Sequence, residues 1–220
     1  MKPSPRFAVV LSGCGVFDGS EIHEATLTLY AIAKNGGTYE IFAPEVAQYH
    51  VVDHLTGRPT GEKRNVLSEA ARIARGKITP LNEFNANRFD ALIFPGGFGV
   101  AKSLFPFAVH GPEAKVQPDV ERAILEMHRA GKPIGALCIA PVLLAKVLEK
   151  VEVTIGNDTD TIQLLHKLGA NHKITGHGEV AIDRTNKIVT SPCYMLDATI
   201  VQVAEGAERT VQAMMELLGY

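Results

Sequence analysis

The chain of 220 residues has no tryptophan, only three cysteines, and no excess of either charge: 22 Lys and Arg stand against 24 Asp and Glu, a formal net charge of −2. Each scarcity excludes something. An odd trio of cysteines without paired spacing is no disulfide framework, so free thiols in a reducing compartment are expected. Basic residues are scattered rather than clustered, so neither nucleic acid nor an anionic membrane surface is an expected partner. Long hydrophobic runs are missing as well. The apolar stretch Phe7–Leu11 is too short for a secretory signal, and nothing reaches the roughly 20 residues of a membrane span. A cytoplasmic protein is expected. Hydrophobic residues make up 46% of the chain and charged ones 21%, enough for the full core of one domain covering residues 1–220.

Strand-like apolar runs alternate with amphipathic helical stretches, and Gly, Pro or Asn punctuates the junctions. Phe7–Leu11, Tyr39–Ala43, Asp90–Phe94 and Pro133–Leu137 read as buried strands, apolar on both faces as in a helix-covered parallel sheet. A first helix runs from an N-cap at Ser20 to Asn35, where Gly36-Gly37 stops it; Asn65–Arg75 and Pro118–Ala130 follow, closed by Gly76 and Gly131. Residues 44–59 predict a small inserted hairpin. Further on come a strand at Glu152–Ile155, a helix at Asp158–Leu168, a strand-rich stretch from Lys173 to Thr190 with a turn at Asn186, and a last helix over Asp197–Leu218, softened near Gly206. The pattern predicts an α/β, doubly wound, mainly parallel sheet with helices on both faces.

The most informative segment is Gly135-Ala136-Leu137-Cys138-Ile139-Ala140-Pro141, in which a buried strand runs into a cysteine and then a helix. A side chain on such a tight turn stands clear of the sheet, and a helix N-terminus behind it favours the thiolate. Reactive groups in such folds gather beyond the C-terminal strand ends, here Gly13–Gly19, Ala43–Pro44, Pro95–Gly99 and Cys138. Pro95-Gly96-Gly97 lacks side chains where a ligand needs close backbone approach, so its N–H groups, together with that of Ile139, form a candidate oxyanion hole. A carboxylate completes the set. Glu21 and Glu24 lie one turn apart at the start of the first helix, and either reaches the pocket mouth. To help a thiolate it must keep its own proton, because an ionised carboxylate would raise the thiol pKa.

The elbow, the Pro95-Gly96-Gly97 turn and Glu24 resemble the DJ-1/PfpI superfamily, a flavodoxin-like fold related to class I glutamine amidotransferases. The run Leu11–Ala25, with Phe94–Gly99 and Asn65-Val66-Leu67, is similar to the enhancing-lycopene-biosynthesis (ElbB) subfamily. The resemblance implies Cys138 as nucleophile, Glu24 as protonated carboxyl, Gly97 and Ile139 as oxyanion donors, and Gly96, Cys14 and Glu21 around the pocket. Where many superfamily members carry a histidine base, this chain has Ile139 and Gly156-Asn157-Asp158, which counts against peptidase and glutaminase chemistry. The resemblance implies instead a cofactor-free, glyoxalase-like conversion of glyoxal or methylglyoxal to the hydroxyacid. It links the chain to isoprenoid biosynthesis, and a non-catalytic, redox-responsive accessory protein is the alternative. A small dicarbonyl is then the expected substrate and a homodimer the expected assembly.

Other motifs carry less. His50 and His54 fall on one face of the predicted hairpin without a third ligand, so no metal is expected. Gly13-Cys14-Gly15 lacks the third glycine and the distal acid of a dinucleotide fingerprint, and no cofactor is expected. Cys14, from the first turn, is a candidate disulfide partner for Cys138, whereas Cys193 reads as packing. His177 and Glu179 are the reserve candidates for a base.

Overall fold

The computed structural model describes residues 3–220. β1 (Arg6–Val10) leads to α1 (Ile22–Lys34) and β2 (Thr38–Ala43), and a small hairpin, β3 (Val52–Asp53) with β4 (Arg58–Pro59), precedes α2 (Val66–Ile73). Then come β5 (Thr79–Pro80), β6 (Ala91–Phe94), α3 (Phe107–His110), α4 (Pro118–Arg129), β7 (Ile134–Leu137), α5 (Pro141–Leu148), β8 (Glu152–Val153) and α6 (Thr159–Lys167). The chain ends with β9 (Asn171–His172), β10 (Ala181–Asp183), β11 (Ile188–Ser191) and α7 (Ile200–Leu217). Seven strands form one sheet in the order β10-β11-β7-β6-β1-β2-β5. All its pairs are parallel except β10 with β11.

Strand alternation divides the core into two layers, because successive side chains leave a strand on opposite faces. Phe7 and Val9 of β1, Ile41 of β2 and Ile93 of β6 pack against α1, α2 and α7. Ala8, Val10, Phe42, Leu92 and Phe94 face α4, α5 and α6. This is the expected flavodoxin-like, doubly wound arrangement. The strand order reverses direction between β1 and β6, and beyond such a switch point the loops diverge and leave a crevice at the C-terminal strand ends.

Several local expectations are corrected. Ser20 does not cap α1: its Oγ, 2.8 Å from the backbone nitrogen of Ser12, accepts that N–H instead. The N-cap is Glu21, whose carboxylate accepts the N–H of Glu24. The strand expected at Glu152–Ile155 pairs only over Glu152–Val153, in a separate ribbon with β9. The helix at 158–168, capped by Asp158, and the β10–β11 turn through Asn186 form as the sequence predicts.

Gly206 does not soften α7, which runs unbroken through it after a Thr199–Gln202 capping box. Its role is close approach: a Cβ there would lie 2.6 Å from Ser191 Oγ and 3.3 Å from Cys193 Sγ. The Ser191 hydroxyl cannot swing away freely, because it donates to the Glu179 carbonyl at 2.9 Å. Gly206→Ala should therefore destabilise the protein by about 1–2 kcal/mol, although alanine is the better helix former. A thermal melt decides this, and a raised Tm would mean that α7 is not pressed against the end of β11.

Candidate functional site

Four loops meet at the crevice: the 11–20 loop after β1, Pro95–Gly99 after β6, the elbow after β7, and Pro192–Tyr194 after β11. Ala43–Pro44 does not join them, since the end of β2 pairs with β5 on the side away from the elbow. Cys138 follows β7 with φ of +59°, a strained left-handed conformation for a non-glycine residue. Its backbone N–H is held at 2.9 Å by the carbonyl of Ser191, which carries the β7–β11 ladder into the turn. Ala140 then closes on the Leu137 carbonyl at 2.9 Å, and Pro141 starts α5. The tight strand-to-helix turn at Cys138 is thus built as the sequence predicts.

The two early glutamates have separate work. Glu21 caps α1 with its side chain and donates its own N–H to the Gly96 carbonyl at 3.0 Å. Glu24, wholly buried, points inward. One oxygen accepts the Gly96 N–H at 3.0 Å, the other the Tyr194 N–H at 3.2 Å, and the carboxyl is hydrogen-bonded to the Cys138 thiol. Gly96 makes this possible, because a Cβ there would run into Cys138 Cβ and come within 2.6 Å of Glu24 Oε2. Gly97, at φ +101°, turns its N–H toward Cys138, to which it donates. The N–H of Ile139 has no protein acceptor among the described residues. One backbone donor, that of Gly97, therefore meets the thiol, and that of the neighbouring Ile139 is left unpaired.

No cation lies among these partners, so electrostatics is governed by burial. Desolvation, reinforced by the charge of Glu21, pushes the Glu24 carboxyl up to about 8 from 4.5. The Cys138 thiol is also pushed well above its ordinary value, first by burial and then by the charge of Glu24. This corrects the expectation of a thiolate favoured by the helix end: α5 has only eight residues and no side-chain cap, while Cys138 is 8% exposed, and desolvation outweighs the dipole. When Glu24 holds its proton, its repulsion of the thiolate vanishes and both its O–H and the Gly97 N–H can donate to sulfur. The two groups titrate as one unit.

The second cysteine of the site is Cys193, not Cys14. Cys193 and Cys138 share a small cluster with Leu137, Val203 and Ala207, onto which Ile139 and Tyr194 pack. Cys14 instead neighbours Glu69, Arg72 and Asp18, and burial together with Glu69 raises its thiol. Tyr194 and His23, which stand in no sequence motif of their own, also meet near the site. The Tyr194 hydroxyl lies 2.8 Å from His23 Nδ1, beside the backbone N–H that holds Glu24. A signal for Tyr194 was present in the Pro192-Cys193-Tyr194 turn ending a parallel strand next to β7. His54 Nε2 accepts the Phe17 N–H at 3.3 Å. Glu179 accepts the Gly176 N–H at 2.7 Å in its own loop.

A cysteine elbow at the end of a parallel strand, with a buried glutamate from the first helix, sits in a glutamine amidotransferase-like domain whose fold is shared with DJ-1 and ThiJ/PfpI structures. Relatives place it more narrowly. The human "glutamine amidotransferase-like class 1 domain-containing protein 3, mitochondrial" is 49% identical over 99% of this chain and 85% of its own length. The zebrafish (Danio rerio) ES1 protein is 39% identical over 86% of this chain and 77% of its own. The chain belongs to this family of amidotransferase-like class 1 domain-containing protein 3 and ES1 proteins. No protein-family model matches it. A crystal structure of an isoprenoid biosynthesis protein with an amidotransferase-like domain from Ehrlichia chaffeensis is 34% identical over 96% of this chain and 99% of that one, with TM-score 0.90. Drosophila melanogaster DJ-1beta, 15% identical over 99% of this chain and 97% of that one, shares the fold at TM-score 0.57. The human, rat and zebrafish relatives are all named as mitochondrial proteins, which overturns the expectation of a cytoplasmic location.

The raised carboxyl has a stability consequence. Its folded pKa of about 8 exceeds the free value of 4.5, so the folded state keeps a proton that the unfolded chain releases between these values. The stability it contributes is complete below pH 4.5 and is lost as pH rises through about 8. Glu24→Gln carries no such proton. Its Tm relative to wild type should climb by roughly 5–10 °C between about pH 5 and about pH 8.5. Parallel melts across pH measure it, and a constant difference would mean that the carboxyl is ionised throughout.

Proposed function

We propose that the protein is a cofactor-independent enzyme that converts a small 1,2-dicarbonyl, glyoxal or methylglyoxal, to the corresponding 2-hydroxyacid. The observation that carries this reading is the buried, hydrogen-bonded Glu24–Cys138 pair, with the Gly97 N–H donating to the sulfur, the N–H of the next residue, Ile139, left without a protein acceptor, and no cation among the pair's partners in the described residues. Such a pair supplies a nucleophile and a proton carrier within one contact, which an internal redox rearrangement of a dicarbonyl requires.

The steps balance without an outside oxidant. In the singly protonated pair, Cys138 sulfur adds to the aldehyde carbon and the carbonyl oxygen, held by the two N–H groups, takes the Glu24 proton. A hemithioacetal and a carboxylate result. Glu24 then removes the C1 hydrogen as a proton, giving an enediol, and returns it to C2 while the C1 hydroxyl proton passes to the C2 oxygen. C2 is reduced and C1 oxidised, leaving a thioester. Glu24 deprotonates a water that attacks this thioester, the C–S bond breaks, and the original pair returns with the hydroxyacid released.

Methylglyoxal should be consumed without glutathione and with no effect of chelator, and hydroxyacid formation should fall by at least about 10²-fold in both Cys138→Ser and Glu24→Ala. Turnover surviving Cys138→Ser would sink the reading, and the absence of any wild-type turnover would favour a non-catalytic, redox-responsive role. Since the singly protonated pair forms as pH rises toward the carboxyl value, kcat/KM should increase along an acid limb with a midpoint near 8. A pH–rate profile from about pH 5.5 to about 9.5 tests this, and an activity flat across that range would show that a different ionisation governs the thiol.

A further inference from the structure

We infer that Tyr194 is a catalytic acid of this site and that His23 positions it, an assignment that rests on the dicarbonyl reading above. That reaction has a step no residue yet serves: a proton must leave the C1 hydroxyl and another must reach the C2 oxygen while Glu24 is occupied with the carbon-bound hydrogen. The position after the cysteine is the aliphatic Ile139, which offers no proton. A protic group is nonetheless built into the same crevice from two other elements.

Tyr194 is anchored at both ends. Its backbone N–H donates to Glu24 Oε1 at 3.2 Å, so its main chain is registered directly on the carboxyl of the reacting pair. Its hydroxyl, 2.8 Å from His23 Nδ1, is fixed by the residue immediately before Glu24 on α1. The rings lie 5.9 Å apart at 48°. Between these anchors the half-buried ring packs on the cluster that contains Cys138 and Cys193. Cys138 is 8% exposed, and Tyr194 and Ile139 both pack on the cluster to which it belongs, so the tyrosine borders the same small region as the sulfur. Cys193, at φ +41°, forces the abrupt turn that brings Tyr194 back toward α1. Such strain at a non-glycine residue persists where the surroundings impose it.

The charges around the hydroxyl suit a donor. Burial first, and then the negative charges of Glu21, Glu24 and Cys193, push the phenol above its ordinary value, which keeps it protonated where the pair works. As Glu24 takes the C1 hydrogen, the Tyr194 O–H gives its proton to the C2 oxygen, and the phenolate accepts a hydrogen bond from the Nδ1–H tautomer of His23. When the enediol collapses to the thioester, the C1 hydroxyl proton returns to the phenolate. Tyr194 ends as it began, and no further reactant enters.

The experiment compares wild type, Tyr194→Phe, His23→Leu, His23→Asn and Cys138→Ser with methylglyoxal. Three quantities are read: hydroxyacid formation, the Cys138–methylglyoxal adduct weighed on the intact protein by native mass spectrometry, and Tm. Tyr194→Phe should form the adduct at the wild-type level and melt within about 2 °C of wild type. Its kcat should nevertheless fall by about 10²-fold, with KM changed less than about threefold. His23→Leu should show the same split more weakly, and His23→Asn, whose amide can place a donor near the former Nδ1, should recover most of the loss. A Tyr194→Phe enzyme within threefold of wild type, or one whose loss of adduct parallels its loss of turnover, overturns the assignment while leaving the dicarbonyl reading intact. Turnover that persists in Cys138→Ser, or is missing in wild type, overturns that reading and this assignment with it.

Discussion

A carboxyl group buried without a counter-ion beside a thiol is the constraint around which the rest of this molecule is arranged. Taking a carboxylate out of water costs several kcal/mol unless the protein replaces its solvation. Here two backbone N–H groups, from Gly96 and Tyr194, and the Cys138 thiol supply only part of that replacement. The shortfall sets the chemistry. A guanidinium in the same place would have left Glu24 an ordinary ionised acid, able to repel a thiolate but unable to give it a proton. Its absence leaves a carboxyl that changes protonation near neutral pH, the range in which a proton carrier is useful.

Holding that carboxyl in contact with sulfur requires three chain segments to approach more closely than side chains allow. Gly96 fills the gap between Cys138 Cβ and Glu24 Oε2 with hydrogen atoms alone. Gly97 is pressed against the Gly19 carbonyl and the Glu21 nitrogen, and the Gly99 N–H is tied to the Gly19 carbonyl at 2.9 Å. The 11–20 loop, the β6 turn and the first turn of α1 therefore behave as one body. On the opposite side, Gly206 lets α7 bear on Ser191 and Cys193, fixing the end of β11 and so the nitrogen of Tyr194 that holds the second carboxyl oxygen. The sheet supplies only the coarse placement, while packing at glycines fixes it to within a hydrogen bond.

This division explains what was legible in the sequence. The elbow could be read because a buried strand, a cysteine and a helix-starting proline in succession admit few conformations, and the two-layer sheet could be read because strands apolar on both faces demand helices above and below. The choice between Glu21 and Glu24 could not be made from helical spacing, since the two lie one turn apart. It is settled by which of them caps the helix, and that depends on Ser20 being drawn away to Ser12. Cys193 packs in the core as read, and the cysteine packed with Cys138 is Cys193 rather than Cys14, because strand register decides which cysteine is near. β11 lies beside β7, and that adjacency exists only once the chain has crossed the sheet. The mitochondrial naming of the relatives was out of reach too, since composition reports solubility and redox setting rather than address.

The same geometry limits the bonds the site can break. In the proposed cycle the group that departs is the Cys138 thiolate itself, a stable anion received by the Gly97 N–H and the protonated Glu24, so no further acid is needed at the last step. An amide leaves as an amine, which must be protonated as its bond to carbon breaks. Glu24 is committed to Gly96, Tyr194 and Cys138, and the position after the elbow is the aliphatic Ile139. In the proposed cycle, the thiol and the backbone N–H groups therefore suffice without a separate acid for a leaving amine. Such a site suits carbonyl substrates whose oxidation and reduction cancel within one small molecule.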